Sequence, residues 1–325
     1  MRFWYRRGAI AWLLWPLSLL FGLAVLFRRI LYKVRILGSR HPGIPVIVVG
    51  NVTVGGTGKT PLTIWMAEFL KAKGWSPAIV SRGYKGKGEA PRAATIASEA
   101  ADVGDEPVLL SRRSGCPVWV GADRLQVIAA LRAAHPEVNV VILDDGLQHY
   151  RLRRDLEIAV VDVRGAGNGF LLPAGPLREP AWRLRTVDAV VANGASRKED
   201  FTMLLVGEEL HRMTDARDRR PLKAFAGQKV HAVAGIGDPK RFFLQLGAAG
   251  IKVLPHPFPD HHAFTPRELD FGDELPVLMT EKDAVKLRYA ARPEWWVLPV
   301  TARLDAAFGN WLLRKSDEWR RPKAA

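Results

Sequence analysis

The chain has 325 residues, 48% hydrophobic and 25% charged, enough for one large or two ordinary α/β domains with buried cores. One cysteine, Cys116, excludes an internal disulfide and any cysteine-based metal cluster. The net charge of +15 calls for an anionic partner, and +8 of it lies in residues 1–40, which hold seven Arg, one Lys and no acid. The rest of the chain is only mildly basic, whereas a nucleic-acid binder would carry its basic stripe on the folded domain. No nucleic-acid partner is therefore expected.

The first predicted element is the uncharged run Gly8–Phe27 (GAIAWLLWPLSLLFGLAVLF), bracketed by Arg6-Arg7 and Arg28-Arg29. As a helix it would reach about 30 Å, one hydrocarbon thickness. No A-x-A cleavage site follows it, so it reads as a membrane anchor rather than a signal peptide. Trp4, Tyr5, Trp12 and Trp15 suit the interface, and Pro16 predicts a kink. Spanning the membrane and lying in one leaflet both fit this pattern.

Short apolar runs then alternate with helical patterns. Pro45–Gly50 predicts a buried strand, Lys59–Lys73 a helix, and Pro77–Val80 a strand leading into Ser81-Arg82-Gly83-Tyr84. Asp105–Arg113 and Arg124–His135 predict helices around a strand at Pro117–Gly121, followed by strands at Val138–Leu143, Glu157–Val163 and Thr186–Ala192. Continuous Val/Ile runs mean strands covered on both faces, hence a mainly parallel sheet flanked by helices. The polar stretch Asn193–Asp200 marks a boundary or hinge. Beyond it, strands at Thr202–Val206, Val230–Ala234, Ile251–Leu254, Val277–Met279 and Trp296–Val300, with helices near Pro239–Leu246 and Asp305–Arg320, predict a second, smaller α/β lobe. The expected division is an anchor over 1–40, a core over 41–195 and the smaller lobe over 196–325.

Chemistry enters at Gly50–Thr63, GNVTVGGTGKTPLT. Gly58-Lys59-Thr60 closes a phosphate-binding loop, although Thr53 stands where G-x-x-x-x-G-K-[ST] requires glycine. Gly55, Gly56 and Gly58 lie between a strand and a helix, where backbone N–H groups of Thr53–Thr60, Val54 and Thr57 included, can close on phosphates. Lys59 adds positive charge and the Thr60 hydroxyl is placed for Mg²⁺. The register V-G-G-T-G-K-T resembles the loop of the partition- and septum-site ATPases, but Val54 replaces their signature lysine, which weighs against a dimerising switch ATPase. Asp144-Asp145 follows VVIL at a strand's carboxyl end, where a carboxylate can hold Mg²⁺, and either residue fits. Asp105 and Glu106 open a helix, where they could merely cap it. Arg178-Glu179 sits in a loop bounded by Pro and Gly. Arg82 follows a strand end and could meet an anionic phosphate.

Seven blocks in one order extend this reading: NVTVGGTGKTP, SRGY, VGDEP, LDDGLQH, GPLREP, FPDHH and TEKDAVK. Together they closely resemble the tetraacyldisaccharide 4′-kinase family, from the N-terminal anchor to about Lys286. The resemblance implies a P-loop NTPase-like fold and ATP and Mg²⁺ as cofactors. It implies transfer of the γ-phosphate to the 4′-hydroxyl of an acylated glucosamine disaccharide 1-phosphate, in lipid A biosynthesis. It also implies a place at the bacterial inner membrane, in contact with inner-membrane lipids, and use of ATP puts the catalytic mass on the cytoplasmic face; a monomer is expected. By the same resemblance Asp105 is the catalytic base with His261 as its partner, Glu179 lies near Mg²⁺–ATP and Arg178 on phosphate. Gln148 and His149 suit a loop-supporting or substrate role and a purely structural one equally; Lys282, Asp283 and Lys286 read as closing the lobes or touching the nucleotide.

Overall fold

The computed structural model describes residues 2–84, 86–194 and 200–320. Its elements in chain order begin with α1 (Ala9–Lys33), β1 (Val46–Gly50), α2 (Lys59–Ala72), β2 (Pro77–Ser81) and β3 (Arg92–Ala94). There follow α3 (Ala100–Val103), α4 (Asp105–Ser114), β4 (Val118–Val120), α5 (Arg124–Ala134), β5 (Val140–Asp144), β6 (Leu156–Asp162) and β7 (Ala189–Asn193). The remainder is β8 (Phe201–Val206), β9 (Glu209–Arg212), β10 (Arg219–Pro221), β11 (Lys229–Ala234), α6 (Pro239–Ala248), β12 (Lys252–Pro257), β13 (Val277–Thr280), α7 (Glu281–Ala284), β14 (Trp295–Leu298), β15 (Thr301–Leu304) and α8 (Ala306–Arg320).

The continuous apolar runs form the middle of a nine-stranded sheet ordered β15-β8-β7-β6-β1-β5-β2-β4-β3. Every pairing from β8 to β4 is parallel, and only the edges β15 and β3 run antiparallel. β1 is central, with all five residues buried, so its carboxyl end opens in the middle of the sheet, where ligands of open α/β folds bind. One face packs on α2, α4 and α8, the other on α5 and the Leu147–Leu152 segment. A six-stranded mixed sheet, β10-β9-β14-β13-β11-β12, builds the smaller lobe with its own core.

The mainly parallel sheet, the second lobe and the apolar N-terminal helix are those expected. The division of the chain is corrected. The expected boundary falls in residues 195–199, outside the described residues; on its far side β8 and β15 belong to the first sheet and α8 packs on its face. The cause is packing: Trp65 and Phe69 stack on the outer face of α2 with ring centroids 4.9 Å apart, and Phe308 of α8 covers Trp65 at 5.6 Å. Gly309 allows that close helix contact, since a Cβ there would sit 3.3 Å from the Phe69 ring. The second lobe is thus an insertion between β8 and β15.

α1 lies along the first lobe. Trp4 Nε1 donates to Pro173 O (3.0 Å), Ser18 Oγ to Leu171 O (2.8 Å) and an Arg28 guanidinium N–H to Gln148 O (3.1 Å). Its outer face is apolar: Leu13 is 80% exposed, Leu20 63% and Phe27 63%. α1 is long and apolar enough to cross a membrane.

Candidate active site

The loop between β1 and α2 explains its own irregularity. Thr53 is extended and buried and bridges to Leu177, while Val54 N–H donates to Pro176 O at 2.8 Å. The turn that a glycine at 53 would make begins instead at Gly55, whose φ is +106°. Gly58 has φ +100°, and a Cβ there would lie 2.7 Å from the Asn193 amide nitrogen. That amide, at the end of β7, donates to Thr57 O at 2.9 Å, and Asn51 donates to Gly55 O and Thr57 Oγ1, both at 3.2 Å. Arg164 donates to Gly56 O at 2.7 Å. Carbonyl groups of the loop are therefore held from behind, an arrangement that turns N–H groups towards an anion. Lys59 and Thr60 open α2, and Lys59 Nζ lies 3.8 Å from Asp145 Oδ1.

The two aspartates at the end of β5 diverge. Asp144 is 1% exposed; Thr63 Oγ1 donates to its Oδ1 at 3.0 Å, while its buried Oδ2 has no partner among the described residues. Burial first, then the charge of Glu106, pushes its carboxyl up to about 7 despite Lys59. An orphaned carboxylate oxygen beside a phosphate loop fits a divalent cation, whose charge would reverse that shift. Asp145 takes the left-handed conformation (φ +53°) and accepts the Arg178 fork at 2.8 and 3.1 Å. Burial opposes its ionisation, but Lys59 and Arg178 outweigh it and hold the carboxyl down at about 2.

Two expectations from the resemblance meet different surroundings. Arg178 is engaged by Asp145 and by the Asn51 carbonyls, so its guanidinium braces the loop. Glu179 is 1% exposed and its oxygens take hydrogen bonds from Gln148 Nε2 (2.9 Å) and Tyr150 OH, with Arg183 Nε at 3.4 Å. These bonds anchor the carboxylate within the first lobe and leave each oxygen a further lone pair. Burial of Tyr150, then the Glu179 charge, pushes its hydroxyl up to about 12. Gln148 also donates to Asn51 O at 3.1 Å. Arg82 is exposed at the end of β2 and has no ion pair among the described residues.

His149 sits behind the site, its Nε2 buried without a partner among the described residues. Burial, then the Arg124 charge, holds its imidazole down at about 4 against an ordinary 6.5. The unfolded chain therefore takes up a proton that the folded one refuses between those values, so stability is full above about pH 6.5 and falls towards pH 4. Between pH 7.5 and 5 the unfolding free energy from urea titration should fall further for the parent than for His149→Gln, by about 1 kcal/mol after discounting for the ring's partial exposure. Equal falls would remove His149 from the acid response.

The second lobe contributes the other half. His261 follows β12 in the left-handed conformation (φ +59°), which for a non-glycine residue costs about 1–2 kcal/mol. That backbone aims its ring at Asp105, the first residue of α4: Nδ1 lies 2.9 and 3.0 Å from the two carboxylate oxygens. Tyr84 of the SRGY segment meets the imidazole edge-on, centroids 5.2 Å apart. Lys282 Nζ approaches His261 Nε2 at 3.4 Å, and because an ammonium only donates, the network fits the tautomer with its proton on Nδ1. Asp105 is buried, which alone would raise its carboxyl, but the hydrogen bond from His261 and the Lys282 and Lys286 charges leave it below the usual range. Of the three non-glycine residues with positive φ among those described, Asp145 and His261 are two, as at strained functional sites. His262 turns away to Glu268 at 2.9 Å.

Sequence reasoning missed Asn51, Asn193, Arg164 and Tyr150, which hold the loop and its neighbours. Asn193 ends an apolar strand, the one local signal it offered.

A backbone phosphate cradle on one lobe, facing a carboxylate held by an imidazole from the other, is the arrangement of a P-loop phosphotransferase. Comparison with known proteins narrows the class. A family model described as tetraacyldisaccharide-1-P 4′-kinase matches residues 10–317. The tetraacyldisaccharide 4′-kinase of Azoarcus sp. (strain BH72) is 48% identical over 98% of this chain and 96% of its own. That of Nitrosococcus oceani is 50% identical over 96% and 93%. The crystal structure of "apo" form LpxK from Aquifex aeolicus in complex with ATP superposes with a TM-score of 0.78 at 30% identity, covering 94% of this chain and 99% of that one. The chain belongs to the tetraacyldisaccharide-1-P 4′-kinase family.

Proposed function

We propose that the protein transfers the γ-phosphate of ATP to the 4′-hydroxyl of a tetraacylated glucosamine disaccharide 1-phosphate, giving the bis-phosphorylated lipid A precursor. The observation that carries this reading is the 2.9 Å contact between Asp105 and His261 across the lobes. Loop N–H groups and Lys59 hold the nucleotide phosphates. Asp105 accepts the hydroxyl proton, and His261 orients the carboxylate through Nδ1–H. The Thr60 hydroxyl and Asp144 would hold Mg²⁺, which when bound offsets charge on the β- and γ-phosphate oxygens. Arg82, exposed beside this opening, is available to the substrate's own phosphate. Loop and acid–base pair come from one chain, so a monomer has a complete site.

An acylated substrate requires access from a membrane. α1 is tied to the domain at Ser18 and Arg28, and the turn before it at Trp4, so the domain shields one side of it. The helix therefore lies in the leaflet plane with Leu13, Leu20 and Phe27 inserted, each burial contributing about 1.5–3 kcal/mol. The ATP-using domain then rests on the cytoplasmic face of the inner membrane. Leu13→Glu with Leu20→Glu should abolish co-sedimentation with anionic phospholipid vesicles without changing the thermal melt; retained binding would refute the in-plane placement.

The test of function is transfer of label from γ-labelled ATP to the acylated disaccharide 1-phosphate in detergent. Lipid-dependent labelling is expected. ATP hydrolysis with no labelled lipid would overturn the reading.

A further inference from the structure

The second lobe brings more to Asp105 than an imidazole. Lys282 Nζ and Lys286 Nζ each lie 4.0 Å from Asp105 Oδ2. Lys282 is shared among other acids, Glu106 Oε1 at 3.0 Å and Asp260 Oδ1 at 3.2 Å. Lys286 is more enclosed, its side chain 8% exposed, and is held by Asp283 Oδ1 at 2.8 Å, over the Phe264 ring at 4.9 Å. Asp283 is fully buried, and its Oδ2 accepts the Gly235 N–H at 2.9 Å and the Thr280 hydroxyl at 2.6 Å. A buried acid anchored at two points thus fixes an ammonium whose next neighbour belongs to the other lobe. Burying such a pair is no efficient route to stability, since desolvation offsets most of the attraction.

We propose that Lys286, fixed by Asp283, is a positioning residue for proton transfer: it holds the Asp105 carboxylate anionic and oriented towards the attacking hydroxyl when the lobes meet. This rests on Asp105 being the proton acceptor. The charged and titratable groups facing Asp105 are His261 from the loop after β12, Lys282 and Lys286 from α7 and the turn after it, and Glu106 on α4 itself. As the substrate oxygen bonds to the γ-phosphorus, the bond to the ADP oxygen breaks and the hydroxyl proton passes to Asp105. Lys286 keeps its own protons throughout. Contact between the lobes therefore makes the base competent, because the first lobe alone supplies no cation to Asp105 among the described residues.

The test pairs Lys286→Met with the double variant Lys286→Met/Asp283→Asn, which removes both charges and leaves no buried unpaired acid. If Lys286 positions Asp105, both variants lose tenfold or more in kcat for lipid phosphorylation, with KM for ATP within twofold of the parent. The double variant stays slow even where its melting temperature recovers. Recovery of kcat in the double variant would show that Lys286 only balances Asp283 and would overturn the proposal. So would a rise in KM for ATP matching the loss in kcat, or wild-type kcat in both. Asp105→Asn run alongside keeps the two readings separate: full activity in that variant would remove Asp105 as acceptor whatever Lys286 does.

Discussion

Asp105→Asn should lower kcat by about 100- to 10,000-fold, the usual contribution of a positioned acid–base group, with ATP affinity nearly unchanged. Asparagine keeps the size of the side chain and an oxygen for His261 Nδ1–H, which lies 2.9 Å from the carboxylate. What it loses is the ability to accept a proton. Asp105 belongs to α4 and meets the second lobe, whereas the backbone groups for the phosphates lie between β1 and α2, so the two functions separate. Single-turnover transfer of labelled phosphate to the lipid, with calorimetric titration of ATP, measures both. A kcat within threefold of the parent would mean that phosphoryl transfer here needs no protein base, as a loose transition state could permit. His261→Gln should cost less, since it removes an orienting group rather than the acceptor.

Lys59→Ala should lower kcat/KM for ATP by about 100- to 1,000-fold, the scale for removing one charge aimed at a developing anion. Lys59 opens α2 and points back to Asn51 Oδ1 (3.4 Å) and Asp145 (3.8 Å), across the mouth of the loop. Its removal also leaves Asp145 with Arg178 as its remaining paired cation. The loss should therefore fall on ATP affinity and on kcat together, in contrast to Asp105→Asn. Steady-state kinetics over ATP concentration at saturating lipid distinguishes them. Unchanged kinetics would mean that phosphates do not reach this loop.

The sequence by itself determined what depends on neighbours in the chain. Continuous apolar runs between helical patterns specified a parallel sheet, because strands buried on both faces cannot alternate. Gly58-Lys59-Thr60 between a strand and a helix specified a phosphate loop, because all its parts lie within a few residues. The uncharged run before Arg28 specified an apolar helix but not its placement, which depends on Leu171 and Pro173, some 150 residues away. Asp105 and His261, 156 residues apart, could be paired beforehand only through resemblance to a family. The same holds for the roles first given to Arg178 and Glu179, whose surroundings are Asp145, Gln148 and Tyr150. Only the tertiary structure returned β15 to the first sheet and α8 to its face, because Phe308 covers the half-buried rings on the outer side of α2, a contact that local pattern does not name. Only the tertiary structure, too, set Lys286 against Asp105: a charge spaced along a short helix looks the same whether solvent or a carboxylate from another lobe lies opposite it.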